Sequence, residues 1–114
     1  SMNMLPGQMA DDGRFVCEGI ALPVTRQIER KVMGGVVCGI RPEAMSLGGD
    51  VPFRVEVVEP TGSETHVLGK IAGTEVIGVF RERVGAGPGE EIRVTVDPAA
   101  VHLFDAASGD RISV

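Results

Sequence analysis

Residues 59–66 read Glu-Pro-Thr-Gly-Ser-Glu-Thr-His and put two carboxylates and an imidazole into one bend. Paired carboxylates such as Glu59 and Glu64 are the residue types of general acid–base chemistry, provided their surroundings push the two acidities apart. His66 adds a group that titrates near neutral pH. A charged rim around a solvated turn uses the same residues and is the commoner arrangement. His66, beside Glu64 on an alternating run, fits a solvated strand face better than a catalytic position. Gly62 supplies backbone freedom at the bend, and Ser63 and Glu64 are of the type that hydrogen-bond a turn locally.

Other chemistries find little support. The GxSxG nucleophile pattern and the GxxxxGK[ST] phosphate loop are both absent. Gly85-Ala86-Gly87-Pro88-Gly89 is glycine-rich, but it lies between two expected strands. A phosphate cradle wants a helix start there. His66 and His102 have no second His or Cys at ligand spacing, so the pattern gives no metal site. Cys17 and Cys38 sit in the apolar runs RFVC and VVCGI and read as buried small hydrophobes; a disulfide between them is possible but not implied. In Arg41-Pro42-Glu43, the proline ends a strand and holds a rigid corner. Its two charges either fix that corner or meet another subunit.

The 11 basic residues are scattered and outnumbered by 16 acidic ones, giving a net charge of −5. The four aromatics are all Phe: Phe15, Phe53, Phe80 and Phe104. A nucleic-acid groove needs clustered cations and usually stacking aromatics, so this balance argues against one, and against an anionic membrane surface. There is no apolar run of membrane-spanning length and no visible secretory signal, which suits a soluble cytosolic domain.

The elements that must position these residues are short and extended. Sixteen glycines and seven prolines punctuate runs rich in Val and Ile. Strands are expected at about 5–10, 14–18, 35–41, 51–59, 64–72, 74–81, 90–97 and 101–104. Asp12-Gly13 is a hairpin signal, and Gly73-Thr74 suits a second tight turn. In VPFRVEVVE, Val51, Phe53, Val55 and Val57 alternate with Arg54 and Glu56, which predicts one buried face. Ile92, Val94 and Val96 do the same. The segment 25–33, TRQIERKVM, is a helix candidate with Thr25 as cap and Gly34 as stop. Asp97-Pro98-Ala99-Ala100 suits one helical turn. One buried face per short strand predicts an all-β domain, a small barrel or sandwich around one core, with at most two short helices.

Taken together and in order, MNMLPG (2–7), GIRPE (39–43), VVEPTGSET (57–65), GPGEEIRVTVDP (87–98) and HLFDAASGDRI (102–112) resemble a known region. It is the transport-associated OB (TOBE) domain at the C-terminus of ATP-binding subunits of carbohydrate ABC importers, of the maltose and glycerol-3-phosphate type. The resemblance covers nearly all of residues 1–114 and is poor over 18–34. It implies a single OB-type β-barrel with a small extra β element, and a fragment without the upstream ATPase domain. It implies no catalytic, cofactor or metal residue here; ATP and Mg²⁺ belong to the parent subunit. The implied partners are a second copy, the ATPase domain, the membrane permease subunits and a regulatory protein, at the cytoplasmic face of the membrane. The contacts expected on this basis are Arg41, Glu43, Glu59, Gly62, Ser63, Glu64, His102, Leu103 and Phe104, with Leu103 or Phe104 packing either into the barrel or into its interface. Two other classes stay open: an oxyanion-binding module of the molybdate type, and a stand-alone nucleic-acid OB-fold, which the acidic balance disfavours.

Overall fold

A computed structural model describes residues 1–114. Nine strands carry the chain: β1 (Asn3–Met9), β2 (Phe15–Cys17), β3 (Ile20–Leu22), β4 (Val36–Ile40), β5 (Met45–Thr61), β6 (Glu64–Ile71), β7 (Thr74–Phe80), β8 (Glu91–Val96) and β9 (His102–Asp105). They form two antiparallel sheets, in the orders β3-β2-β1-β4-β9 and β7-β6-β5-β8. No α-helix is present; single 3₁₀ turns occupy Pro42–Ala44 and Pro98–Ala100. No helix is long and apolar enough to cross a membrane. The all-β, OB-type expectation holds.

The turns follow from backbone geometry. Asp11-Asp12-Gly13 closes β1 onto β2: the Gly13 N–H donates to Ala10 O, and Gly13 then takes φ +88°, the three-residue hairpin that Asp12-Gly13 signals. β2 and β3 are joined by Glu18-Gly19, and β6 and β7 by Ala72-Gly73, all four residues at positive φ. The tight turn is therefore Ala72-Gly73, one residue earlier than expected, because Ile71 pairs with Thr74.

One strand, β5, departs from simple alternation at two places. β5 begins six residues before the expected start, at Met45 rather than Val51. Gly48 and Gly49, at φ +90° and +124°, take the chain out of register between Leu47 and Val51 without ending it. Further along, a bulge lies between Val55 and Val57. The extra residue, Glu56, shifts the alternation by one. Val51, Phe53 and Val55 are buried as expected, but Val57 turns outward and is 41% exposed.

The expected helix over 25–33 does not form. Ile28 bridges Ser113, the Glu29 N–H donates to Ile112 O at 2.8 Å, and the Val114 N–H donates to Gln27 O at 2.9 Å. The backbone that an α-helix would satisfy internally is used instead to tie down the C-terminal segment, so tertiary pairing overrides local propensity. Thr25, the expected cap, donates its N–H to Pro98 O at 3.3 Å.

Both sheets turn their apolar faces onto one core of 21 buried hydrophobic residues. Phe53 and Phe80 meet there edge-to-face, 6.4 Å between ring centres. Cys17 and Cys38 are buried in the core as free thiols, and burial pushes Cys38 up to about 12. A thiol so far above neutral pH stays protonated and behaves as a small hydrophobe.

Candidate interaction surface

The bend at 59–66 is the tip of the β5–β6 hairpin. Thr61 pairs with Glu64 across the two-residue turn Gly62-Ser63. Gly62 takes φ +68° while Ser63 stays at negative φ, which is the type II′ pattern that places glycine first. The Thr61 hydroxyl donates to Glu64 O at 3.2 Å. Glu59 pairs with His66 in register, and the Glu64 carboxylate reaches His66 Nε2 only at 3.5 Å. Glu64 and His66 are half-buried and Glu59 is exposed. This is a solvated hairpin face, without the enclosing walls that acid–base chemistry requires.

The Arg41-Pro42-Glu43 corner is a 3₁₀ turn, with the Ala44 N–H donating to Arg41 O at 3.0 Å. Glu43 and Glu64, distant in sequence, line one open depression of 330 Å³ together with Arg81 and Glu82. Nowhere do three His, Cys, Asp or Glu side chains come together at metal-ligand geometry. The glycine-rich 85–89 loop connects β7 to β8, and two of its amides are occupied. The Gly87 N–H donates to the Glu90 carboxylate at 2.7 Å, and the Gly89 N–H donates to Val55 O at 2.8 Å.

On the other sheet, β9 divides its three expected contact residues. Leu103 is wholly buried and packs into the core, so its side chain has no outer surface to offer. Phe104 faces the other way. It lies over Gly39, where an added Cβ would come within 3.0 Å of its ring, and the Arg111 guanidinium sits 5.7 Å from its ring centre. Arg111 also donates from Nη2 to His102 Nδ1. Arginine can only donate, so His102 Nδ1 is unprotonated and the proton of the neutral ring is on Nε2. Burial first, then the charges of Arg26, Arg111 and Arg41, lower the pKa of His102 below its ordinary 6.5. The ion pairs of the structure are Arg14–Asp12, Arg30–Asp110, Arg93–Glu91 and His66–Glu64. None of them neutralises Arg26, Arg41 or Arg111.

The sequence reading missed an apolar row. Val57, Leu68 and Ile77 are paired in register across β5, β6 and β7, and each is 41–42% exposed. The row continues the outer face that carries Glu59, Glu64 and His66. Leu68 was legible, since Val67, Gly69 and Ile71 face inward. Val57 was not, because the bulge that turns it outward leaves no strong mark in the sequence. The molecule thus presents an acidic hairpin with an apolar base on one sheet, and a basic rim around Phe104 on the other.

Residues 38–104 match the TOBE domain family. The chain belongs to the TOBE domain family. This TOBE domain is similar to an uncharacterized ABC transporter ATP-binding protein of Sinorhizobium fredii, with 43% identity over 117 residues, 99% of this chain and 32% of the relative. It is also similar to a sulfoquinovosyl glycerol transport ATP-binding protein of Agrobacterium fabrum, with 31% identity, 95% of this chain and 32% of the relative. A third is an sn-glycerol-3-phosphate import ATP-binding protein of Yersinia pestis, with 30% identity, 98% of this chain and 33% of the relative. The chain spans about a third of the length of these curated relatives. All nine expected contact residues fall within the TOBE match, whereas β1 to β3 and the C-terminal segment flank it.

Proposed function

We propose that this TOBE domain is a non-catalytic regulatory and dimerisation domain of the ATP-binding subunit of an ABC importer for sugars or glycerol-3-phosphate-like solutes. In that role it holds two ATPase subunits together while their nucleotide sites open and close, and it receives regulatory proteins. ATP and Mg²⁺ are bound by the ATPase domain of the same subunit. The permease subunits lie beyond it, at the cytoplasmic face of the membrane. The observation that carries this reading is the TOBE match over residues 38–104 in a chain whose relatives are named as transport ATP-binding proteins.

The surface chemistry supports self-association. A two-fold contact is self-complementary, so each patch is used twice. The acidic hairpin with Glu59 and Glu64 on one copy complements the basic rim with Arg41, His102 and Phe104 on the other, and the reverse holds across the axis. Glu43, Gly62 and Ser63 flank the acidic side. The Val57–Leu68–Ile77 row gives the contact apolar area to bury. Each copy carries a net charge of −5, which opposes approach at low salt.

Sedimentation equilibrium on the 114-residue chain tests this. The expected profile is a monomer–dimer mixture between roughly micromolar and millimolar concentration, the range of small transient interfaces. Glu64→Arg and Arg41→Glu each weaken the dimer, and the double variant restores it; Phe104→Ala also weakens it. A strictly monomeric profile at the highest concentration refutes the dimerisation role. A dimer indifferent to all these variants moves the interface elsewhere.

A further inference from the structure

A two-sheet fold has four outer strand edges, each with a row of backbone N–H and C=O groups that must be satisfied or exposed. In this molecule one edge, β9, is sealed along its length and another, β7, is pinned at one residue. At β7, the Asn3 side chain reaches across from β1 and takes both backbone groups of Ile77: Nδ2 donates to Ile77 O at 2.9 Å, and the Ile77 N–H donates to Oδ1 at 2.8 Å. At β9, the C-terminal segment lies alongside. Phe104 bridges Arg111, the Ile112 N–H donates to Leu103 O, and the Leu103 N–H donates to the Ser113 hydroxyl, both at 2.9 Å. The remaining edges, β3 and β8, have no strand or side-chain seal along their length.

Residues of both strands line one cavity. A cleft of 710 Å³ lies between them, walled by Ile20–Leu22 of β3 and Arg93–Val96 of β8, with Val51 and Pro52 of β5 beside them. Its volume is in the range of peptide and small-ligand sites. Four charged residues line it, Arg14 and Arg93 against Glu18 and Asp50, and they cancel. The guanidiniums are also held: Arg14 by Asp12 at 2.8 Å, and Arg93 by Glu91 at 3.1 Å. An anion therefore meets no free cation there. What the cleft offers is the free backbone groups of β8, those of Ala21 on β3, apolar side chains and no net charge.

We propose that the cleft between β3 and β8 receives one extended, uncharged peptide strand of another protein, apolar at alternate positions. The strand adds to the β8 edge, with β3 covering its other side. Only an extended backbone presents donors and acceptors at the spacing of a strand edge, and alternate side chains then enter the cleft. This inference does not depend on the dimer contact, which uses the outer sheet faces and not this seam.

The test uses a capped synthetic heptapeptide, Thr-Val-Thr-Val-Thr-Val-Thr, and a copy N-methylated at its three valines, titrated into the isotope-labelled 114-residue chain. The expected result is saturable binding of the first peptide with slowed amide exchange confined to residues 20–22 and 91–96. The N-methylated copy should bind at least about tenfold more weakly, since each lost N–H removes a ladder bond. Ala21→Lys, which puts a charge on the partly exposed wall, should weaken the first peptide by a similar factor; the N-methyl comparison uses unaltered protein and does not depend on that variant folding. No binding at millimolar peptide, equal binding of the N-methylated copy, or exchange protection elsewhere overturns the proposal. Protection of β8 that rises with protein concentration in the absence of peptide assigns the seam to a second copy. Competition by inorganic phosphate makes it an anion site. Either of these results also overturns it.

Discussion

Removing the Asn3 side chain tests how the two sheets are joined. Asn3 pairs with Ile40 through its own backbone in β1 while its side chain binds both backbone groups of Ile77 in β7. It therefore stands in for a residue of a neighbouring strand. Asn3→Ala removes two hydrogen bonds of good length, each contributing about 1 kcal/mol net. The side chain is only half-buried, so water recovers part of the loss, and the expected cost is about 1–2 kcal/mol. For a domain of this size that lowers Tm by roughly 5–10 °C. Urea unfolding measures the global term. Amide exchange at Ile77 measures the local one, with an expected acceleration of about tenfold or more. Asn3→Asp should cost at least as much at neutral pH, because a carboxylate cannot donate to Ile77 O. Its deficit should shrink as pH falls through about 3.9, where the protonated acid regains a donor. An Asn3→Ala variant within about 0.3 kcal/mol of the parent, with unchanged Ile77 exchange, would refute the seal at β7.

Three other outcomes follow from single residues. Ala72 sits at φ +49° in the β6–β7 turn, where an L side chain costs about 1 kcal/mol, so Ala72→Gly or Ala72→Asn should raise the urea midpoint without changing m. Ser113 is fully buried and its hydroxyl is the partner of the Leu103 N–H; Ser113→Ala orphans that donor and should cost about 1–3 kcal/mol in thermal or urea unfolding. His102 has its pKa lowered in the fold, by burial and by Arg26, Arg111 and Arg41. The unfolded chain therefore binds the extra proton first, and stability falls as pH drops below 6.5 toward the folded value. His102→Phe should flatten the stability slope in that window, and an unchanged slope would mean that His102 is not its source.

Strand alternation made most of the fold readable, because a half-buried strand writes its own period: Ile92, Val94 and Val96, or Val67 and Ile71, declare their face directly. What stayed hidden was set by single residues that change register or by partners distant in the chain. β3 escaped because its turn is Glu18-Gly19, with Glu18 at an unfavourable φ of +36° where Asn or Asp is the usual signal. The segment 25–33 looked helical because its cap and stop residues are local, whereas the carbonyls and amides that claim it belong to residues 98 and 112–114. The interaction surface divides in the same way. Gly62 and Ser63 were legible as a turn, but the fate of Leu103 against Phe104 rests on which side of β9 meets Cys38, its register partner. The β3–β8 seam is the extreme case: its walls are about seventy residues apart in sequence, and neither is unusual alone. An open edge exists only as the remainder after every other backbone group has been assigned a partner. In this domain that remainder includes β3 and β8, whose residues line one cleft without net charge, and it is there that the proposed strand would add.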